Sequence, residues 1–397
     1  MMRVQVPDSL KQELAKTAPH RLVALVWAGL IIGFVIYAVL VGGIVVDRHG
    51  QPLPTDFFVF WAAGKTAIAG HAAEIYNFPF FHNAQAQMIG HPISAIYPWP
   101  YPPLFFFVVG VLGLIPYPLA YLCWIVGTLS AYLICTKVIC RDWKPAITFG
   151  GSPAALQCFL VGQNGLFTAS LFGAFLVTLE NRPLLSGLIL AALTYKPQFG
   201  LLIPLALLAG GHWRTIFAAI LGTAIWVAIW FVIDPNVFPA LLHALQTESH
   251  DYLGAGVLNW RKMQSVYALL RLLGMTPTPA GIIHGVFAAI AALAVWLAWR
   301  SAISFPSKAA ILVVSTLAAT PYSFLYDFPI MTVGIGFLFR DRAFDGFEWA
   351  SIGTAYAVMA VALLIIFPAG PFVLALLTPI LIRRTFPGMI KQSAKAI

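Results

Sequence analysis

The sequence predicts an all-α polytopic membrane protein, a single integral membrane domain over residues 1–397, and three observations carry that prediction. The chain is 60% hydrophobic and 9% charged, with a mean hydropathy of +0.86, where an ordinary soluble domain carries about 25% charged residues. Its apolar residues gather into long runs. The first, Leu22 to Val46, has about 25 residues and is long enough to span a hydrocarbon core of about 30 Å with some tilt. Its basic residues form short clusters beside those runs: Lys11, Lys16 and Arg21; Lys137, Arg141 and Lys144; Arg214; Arg300 and Lys308; Arg340 and Arg342; Arg383, Arg384 and Lys391. By the positive-inside rule these clusters mark cytoplasmic segments and place both termini in the cytoplasm. The net charge of +9 therefore reads as topology. No segment is long and polar enough to form the basic, water-exposed face that nucleic-acid binding needs.

The elements follow in order. The first run is too long for a signal peptide and lacks a small-residue cleavage site before Asp47, so the N-terminus is expected to be retained. A loop over 47–103 comes next, extracytoplasmic by the charge rule, holding His49, His71, His82 and His91. Within it, Phe57 to Lys65 reads as an aromatic-faced helix lying along the membrane surface. From Leu104 to Ile382 apolar segments follow with little interruption, several of them only about 8 to 16 residues long, so half-helices and broken spans are expected around an interior cavity. The stretch Ala146 to Val161 reads equally as a full crossing or a re-entrant segment. A second polar loop, 234–279, carries His243, Glu248, His250, Asp251, Arg261, Lys262 and Arg271. The four cysteines lack metal-ligand spacing and read as small hydrophobes.

Among 14 acidic residues, Asp56 stands out. A carboxylate at the lipid edge costs free energy unless it is solvated, caps a helix or serves a reaction, and Thr55 and Asp56 are both favoured N-caps. Tyr97-Pro98-Trp99-Pro100-Tyr101-Pro102-Pro103 forms a stiff, extended wall with aromatic faces, suited to a sugar or lipid groove or to setting the entry angle of the next helix. Gly162-Gln163-Asn164-Gly165 offers amide groups between apolar stretches, as a plain turn also would. Lys196, in Tyr195-Lys196-Pro197-Gln198, puts an ammonium in an apolar region, which marks a function, an ion pair or a side chain snorkelling to an interface. Asp327, in Tyr326-Asp327-Phe328, reads as a further site group or a cap. Gln264 and Arg271 add polar groups near a span entrance that a solvated loop face explains as well.

In this order, the pieces resemble family 87 of the glycosyltransferases, membrane enzymes of the GT-C type that include polyprenol-phosphate-mannose-dependent mannosyltransferases. The resemblance is carried by Asp56 to Ala63, Gly70, Ile75-Tyr76, Tyr101-Pro102-Pro103, Gly162-Gln163-Asn164, Lys196-Pro197-Gln198, Gln264-Ser265 and Pro321 to Asp327. It departs from the family at Tyr326-Asp327, where some members carry histidines, and at Met263, where asparagine is frequent. The resemblance implies a GT-C-type bundle of about 11 to 13 transmembrane or partial helices with a helical first extracytoplasmic loop. It implies a polyprenyl-phosphate donor of mannose or a similar hexose or pentose, and a lipid or glycan acceptor. Transfer is then expected on the outer side of the cell membrane.

Asp56 matches the place of the catalytic aspartate. A lipid phosphate is already a competent leaving group, so one base acting on the acceptor hydroxyl suffices, with inversion at the anomeric carbon. Lys196, Gln198, Arg261, Gln264, Tyr326 and Asp327 are the expected donor-binding groups, and Trp61, Lys65, Tyr101, Gln163 and Asn164 the expected groove. No acidic triplet or DxD pair is visible, so neither a cofactor nor an obligatory metal is expected. A lipid or lipid-linked-sugar flippase would also need broken helices and buried charge. A structural subunit of an envelope-assembly complex would need Asp56 only as a cap.

Overall fold

The computed structural model describes residues 19–41, 43–47, 50–93, 97–249 and 259–385. Lys11, Lys16, His49, His250, Asp251 and Lys391 lie outside the described residues. Among the described residues eighteen α-helices make up most of the fold, and the only sheet pairs Val45–Val46 with Pro52–Leu53. Five helices among the described residues are long and apolar enough to cross a membrane: Pro19–Tyr37, Tyr117–Cys140, Trp213–Ile233, Pro277–Arg300 and Gly346–Leu364. Their outward faces are apolar, as at Leu40 (80% exposed), Val232 (86%) and Leu364 (85%). Such a belt would be a liability in water and is what a bilayer solvates. The chain is a polytopic membrane protein.

Local sequence explains where helices begin and end. Proline opens many of them, as at Pro153, Pro183, Pro277 and Pro329, because its missing N–H is one the first turn leaves unbonded anyway. Ser152 and Ser265 accept hydrogen bonds from the backbone N–H groups of Ala155 and Ala268, the usual N-cap arrangement. Shorter apolar helices such as Gly165–Thr178, Pro183–Leu193 and Phe305–Ala319 accompany the long ones, and side chains satisfy carbonyls left free at the end of Pro153–Val161 and in the turn Pro197–Gly200. Trp124 donates to the Gly162 carbonyl at 3.0 Å, Thr320 to that of Gln198 at 3.3 Å, and Tyr121 to that of Phe159. This is the condition under which broken helices survive in a membrane.

Two expectations change. The helix Thr55–Ile68 does not lie on a surface: every residue from Phe57 to Gly64 is buried. An unbroken run of apolar residues leaves no polar face, so the helix sinks into the protein and packs on Phe106–Gly113. The approach is close enough that a Cβ on Gly64 would lie 1.8 Å from the Val109 carbonyl oxygen. The Ala146 to Val161 stretch is two helices, Trp143–Gly150 and Pro153–Val161, divided at Ser152-Pro153. The second polar loop also carries structure, with helices Val237–Ser249 and Val266–Leu272.

The two ends of the bundle differ in charge. Tyr117–Cys140 starts where the Tyr117 hydroxyl donates to the Pro54 carbonyl and finishes at Lys137 and Arg141. Trp213–Ile233 runs the other way, from Arg214 to Asp234, whose carboxylate accepts from the Ala73 N–H at 3.0 Å. Pro329–Asp341 leaves Asp327 for Arg340, and Gly370–Thr385 starts beside Gln264 and ends at Arg383 and Arg384. Arg21, Lys137, Arg141, Arg214, Arg340, Arg383 and Arg384 thus collect at the end opposite the first loop.

Candidate active site

At the first-loop end, the polar residues singled out in the sequence converge on one cavity of about 890 Å³. Asp56, Tyr101, Gln163, Lys196, Gln198, Gln264, Tyr326 and Asp327 all line it, although they span 271 positions from Asp56 to Asp327 (327 − 56). The volume lies within the range of about 300–1,000 Å³ typical of small-ligand sites.

Asp56 sits in the first turn of Thr55–Ile68. The helix is capped by Pro54 with no side-chain cap bond, so the capping role open to Thr55 and Asp56 is not used. One carboxylate oxygen instead accepts from the Thr55 hydroxyl at 3.2 Å and the other from the Gln163 amide at 3.0 Å. Burial pushes the Asp56 pKa above the ordinary carboxylate value. The Gln163 and Thr55 hydrogen bonds and the positive field of Lys262 oppose this without cancelling it. Both direct partners are neutral donors, which steady the carboxylate without neutralising it as a contacting cation would.

Gln163 is the hinge between two walls. Its amide oxygen accepts from the Tyr101 hydroxyl at 3.3 Å and from the Asn164 N–H at 3.2 Å, while its nitrogen donates to Asp56. Gly162 makes this turn possible: it sits at φ +76°, and a Cβ there would lie 2.3 Å from the Phe57 Cβ. The proline-rich wall does line the cavity, through Tyr97, Pro98, Pro100, Tyr101 and Pro102. Trp99 turns away and stacks on Phe106 at 5.1 Å between ring centroids.

Lys196 is 3% exposed and forms an ion pair with Asp327 at 2.5 Å, so it does not snorkel to an interface. Its ammonium also donates to Asn164 Oδ1 at 2.7 Å and lies 5.4 Å from the centroid of the Tyr326 ring. The other Asp327 oxygen accepts from the Phe324 N–H at 2.9 Å. Asp327 is therefore committed to Lys196 and to its own turn. A carboxylate so held would repel a phosphate, and its evident structural role is the placement of Lys196. An ammonium has three donors, and only two of those on Lys196 have partners among the described residues.

Other expected site residues fall elsewhere. The Trp61 indole donates to the Ile115 carbonyl at 2.9 Å, and its ring packs on Tyr117. Lys65 is exposed and lies over Trp61, 4.8 Å from its ring. Neither lines the cavity, because the helix turns their positions away from the Asp56 face. Arg261 is exposed and outside the cavity lining, while its neighbour Lys262 is in it. Sequence reasoning noted Lys262 only as loop charge, and two adjacent cations carry no signal of which one faces inward. Asn164 acts from behind, through Lys196. The Gln264 amide is spent on backbone, donating to the Lys262 and Phe367 carbonyls and accepting from the Gly370 N–H. From its place on the cavity wall it fixes the Lys262 segment. Among the described residues no three His, Cys, Asp or Glu side chains group as metal ligands.

The cavity thus sets a carboxylate on one wall and lysines on another among the helices of a membrane protein. The chain belongs to glycosyltransferase family 87, whose sequence profile matches residues 99–323, more than half of its length. It is accordingly a membrane glycosyltransferase. The match contains Tyr101, Gln163, Asn164, Lys196, Gln198, Lys262 and Gln264; Asp56, Tyr326 and Asp327 lie beyond its ends. No curated protein and no solved structure matches the chain.

Proposed function

We propose that this protein transfers a sugar, mannose or a similar hexose or pentose, from a polyprenyl-phosphate donor to a lipid or glycan acceptor, with inversion, and that Asp56 is the general base. The observation that carries the proposal is the Asp56 carboxylate itself. It lines the cavity, is held by neutral donors alone among the described residues and has its pKa raised by burial. A raised pKa makes a carboxylate a stronger base for an acceptor hydroxyl.

The rest of the cavity fits this chemistry. Lys196 and Asp327 balance each other, which leaves Lys262 as the lining cation without an opposite charge in contact among the described residues. Charge grows on the phosphate as the glycosidic bond breaks, and Lys262 together with the remaining Lys196 donor supplies the stabilisation. A second side of the cavity is apolar, formed by Leu241, Leu245, Ala362, Leu363 and Ile366, and suits a prenyl chain. The cavity lies at the end opposite the basic clusters, which supports an extracytoplasmic site and cytoplasmic termini in a cell membrane. With lysines in this role, no obligatory metal is required.

The test is sugar transfer from a synthetic polyprenyl-phosphate mannose by purified wild type, Asp56→Asn and Asp56→Ala. Folded variants are expected to lose turnover by about 10²- to 10⁴-fold, the usual contribution of a general base. Wild-type turnover in both would reject Asp56 as the base.

A further inference from the structure

The Gln163 amide makes three hydrogen bonds at once, and their directions are not interchangeable. Its oxygen receives the Tyr101 hydroxyl and the Asn164 backbone N–H, and its nitrogen meets an Asp56 carboxylate oxygen at 3.0 Å. A flipped amide would set its NH₂ against the Asn164 N–H and its oxygen against the carboxylate, two repulsive contacts in place of two bonds. A backbone N–H can only donate, so the orientation is forced. Gln163 is 7% exposed and Asn164 fully buried, and the turn carrying them is pinned by the close approach of Gly162 to Phe57, one residue beyond Asp56. The site therefore has a rigid neutral donor aimed at one carboxylate oxygen, with the Thr55 hydroxyl on the other.

We propose that Gln163 is the positioning residue for the Asp56 carboxylate, with its amide locked in one orientation by Tyr101 and Asn164. This rests on the reading of Asp56 as general base. The bond restricts rotation of the carboxylate, so that its free lone pairs face the cavity where the acceptor hydroxyl must arrive. Because the donor is neutral, it steadies the anion without removing its basicity. A lysine or arginine in that place would hold the carboxylate as firmly and weaken it as a base.

The groups facing Asp56 do not confuse the readout. They are Lys262 from the 259–265 segment, Tyr97 and Tyr101 from the proline-rich wall, and Tyr326, with the Lys196–Asp327 pair along the same cavity. Burial pushes the Tyr97 pKa up to about 12, and those of Tyr101 and Tyr326 also rise. The three phenols stay neutral across the acid limb.

The experiment measures kcat/KM against pH with the polyprenyl-phosphate mannose donor for wild type, Gln163→Leu, Gln163→Glu and Asp56→Asn. An infrared titration follows the Asp56 carboxyl band, identified by its loss in Asp56→Asn. Gln163→Leu removes the donor, and the acid limb and the infrared midpoint are expected to move up together by about one pH unit. Gln163→Glu keeps the acceptor for Tyr101 and Asn164 but sets a second carboxylate beside Asp56. The shift is then larger, as for two acids sharing a proton. Gln163→Glu is nearly isosteric and carries the test should Gln163→Leu fail to fold. Wild-type limbs and midpoints in the folded Gln163 variants, with Asp56→Asn inactive, would leave the base in place and overturn its positioning by Gln163. An active Asp56→Asn would overturn both.

Discussion

Each end of the molecule buries an ion pair, and the two are built for different ends. At the basic end, Arg384 grips Glu348 through two bonds of 2.7 Å and donates further to the carbonyls of Leu338, Arg342 and Ala343. Glu348 also accepts from the Asp345 N–H in a capping box. Nearly every polar valence is used, and the pair clasps the last helix, Gly370–Thr385, to Gly346–Leu364. At the cavity end, Lys196 and Asp327 are as deeply buried, yet the ammonium keeps a donor in hand and both residues line an open volume. A buried pair is weak proof of stabilisation and weak proof of function. What separates the two roles is whether all donors are occupied and whether empty space adjoins them.

Experiments can break or sharpen that contrast. The largest effect is expected at Asp56, the cavity-end charge with no contacting cation, where Asp56→Asn should reduce kcat by about 10²- to 10⁴-fold while leaving the melting temperature in detergent near that of wild type. Next comes the removal of one partner from the clasp. Glu348→Ala strands a guanidinium and is expected to cost about 3–5 kcal/mol of stability, read as a lowered Tm, with turnover per folded molecule unchanged. The decisive pair of double variants follows. Arg384→Met with Glu348→Leu should recover stability and retain activity. Lys196→Met with Asp327→Leu should also fold, but with about a tenfold weaker donor KM or kcat, since under the proposed function it removes a cation that faces the phosphate. Equal behaviour of the two double variants would erase the distinction.

The pH profile gives a smaller effect with a definite sign. Asp56 has a raised pKa in the folded protein, so the base is lost as pH falls through a midpoint above the ordinary value of about 3.9. The native state then binds this proton more tightly than the unfolded chain does, and lowering pH through that midpoint stabilises the fold at this site. The acid limb should therefore appear in kcat/KM without a matching drop in Tm. The smallest effect is expected from chelation: excess EDTA should change turnover by less than about twofold, because lysines supply the charge that a metal would otherwise bring.

How much was legible in the sequence can be followed residue by residue. Lys196 was costly in its apolar surroundings, and that cost required a partner, but Asp327 became that partner only when chain segments 131 residues apart met. Gln163 and Asn164 stood out as amides between apolar stretches, whereas the direction of the Gln163 bond to Asp56 depends on a turn packed against Phe57. The Phe57 to Gly64 helix was visible as a helix and misplaced onto a surface, since apolar sequence has the same composition whether lipid or protein covers it. Trp61 and Lys65, groove residues by the family resemblance, lie on the same helix as Asp56, and helical rotation takes them out of the cavity lining.

The sequence by itself determined the class: composition, apolar runs and basic clusters dictate a polytopic membrane protein, because the bilayer acts on each segment's own hydrophobicity and charge. It also determined most of the helix boundaries, through proline, serine and glycine acting within a few residues. Only the tertiary structure decided that Lys262 rather than Arg261 borders the cavity, that Gln264 is committed to backbone, and that Asp56 looks into a cavity rather than capping its helix. Those are relations between residues distant in the chain. Their energies come from packing and shared hydrogen bonds that exist only once the helices have met.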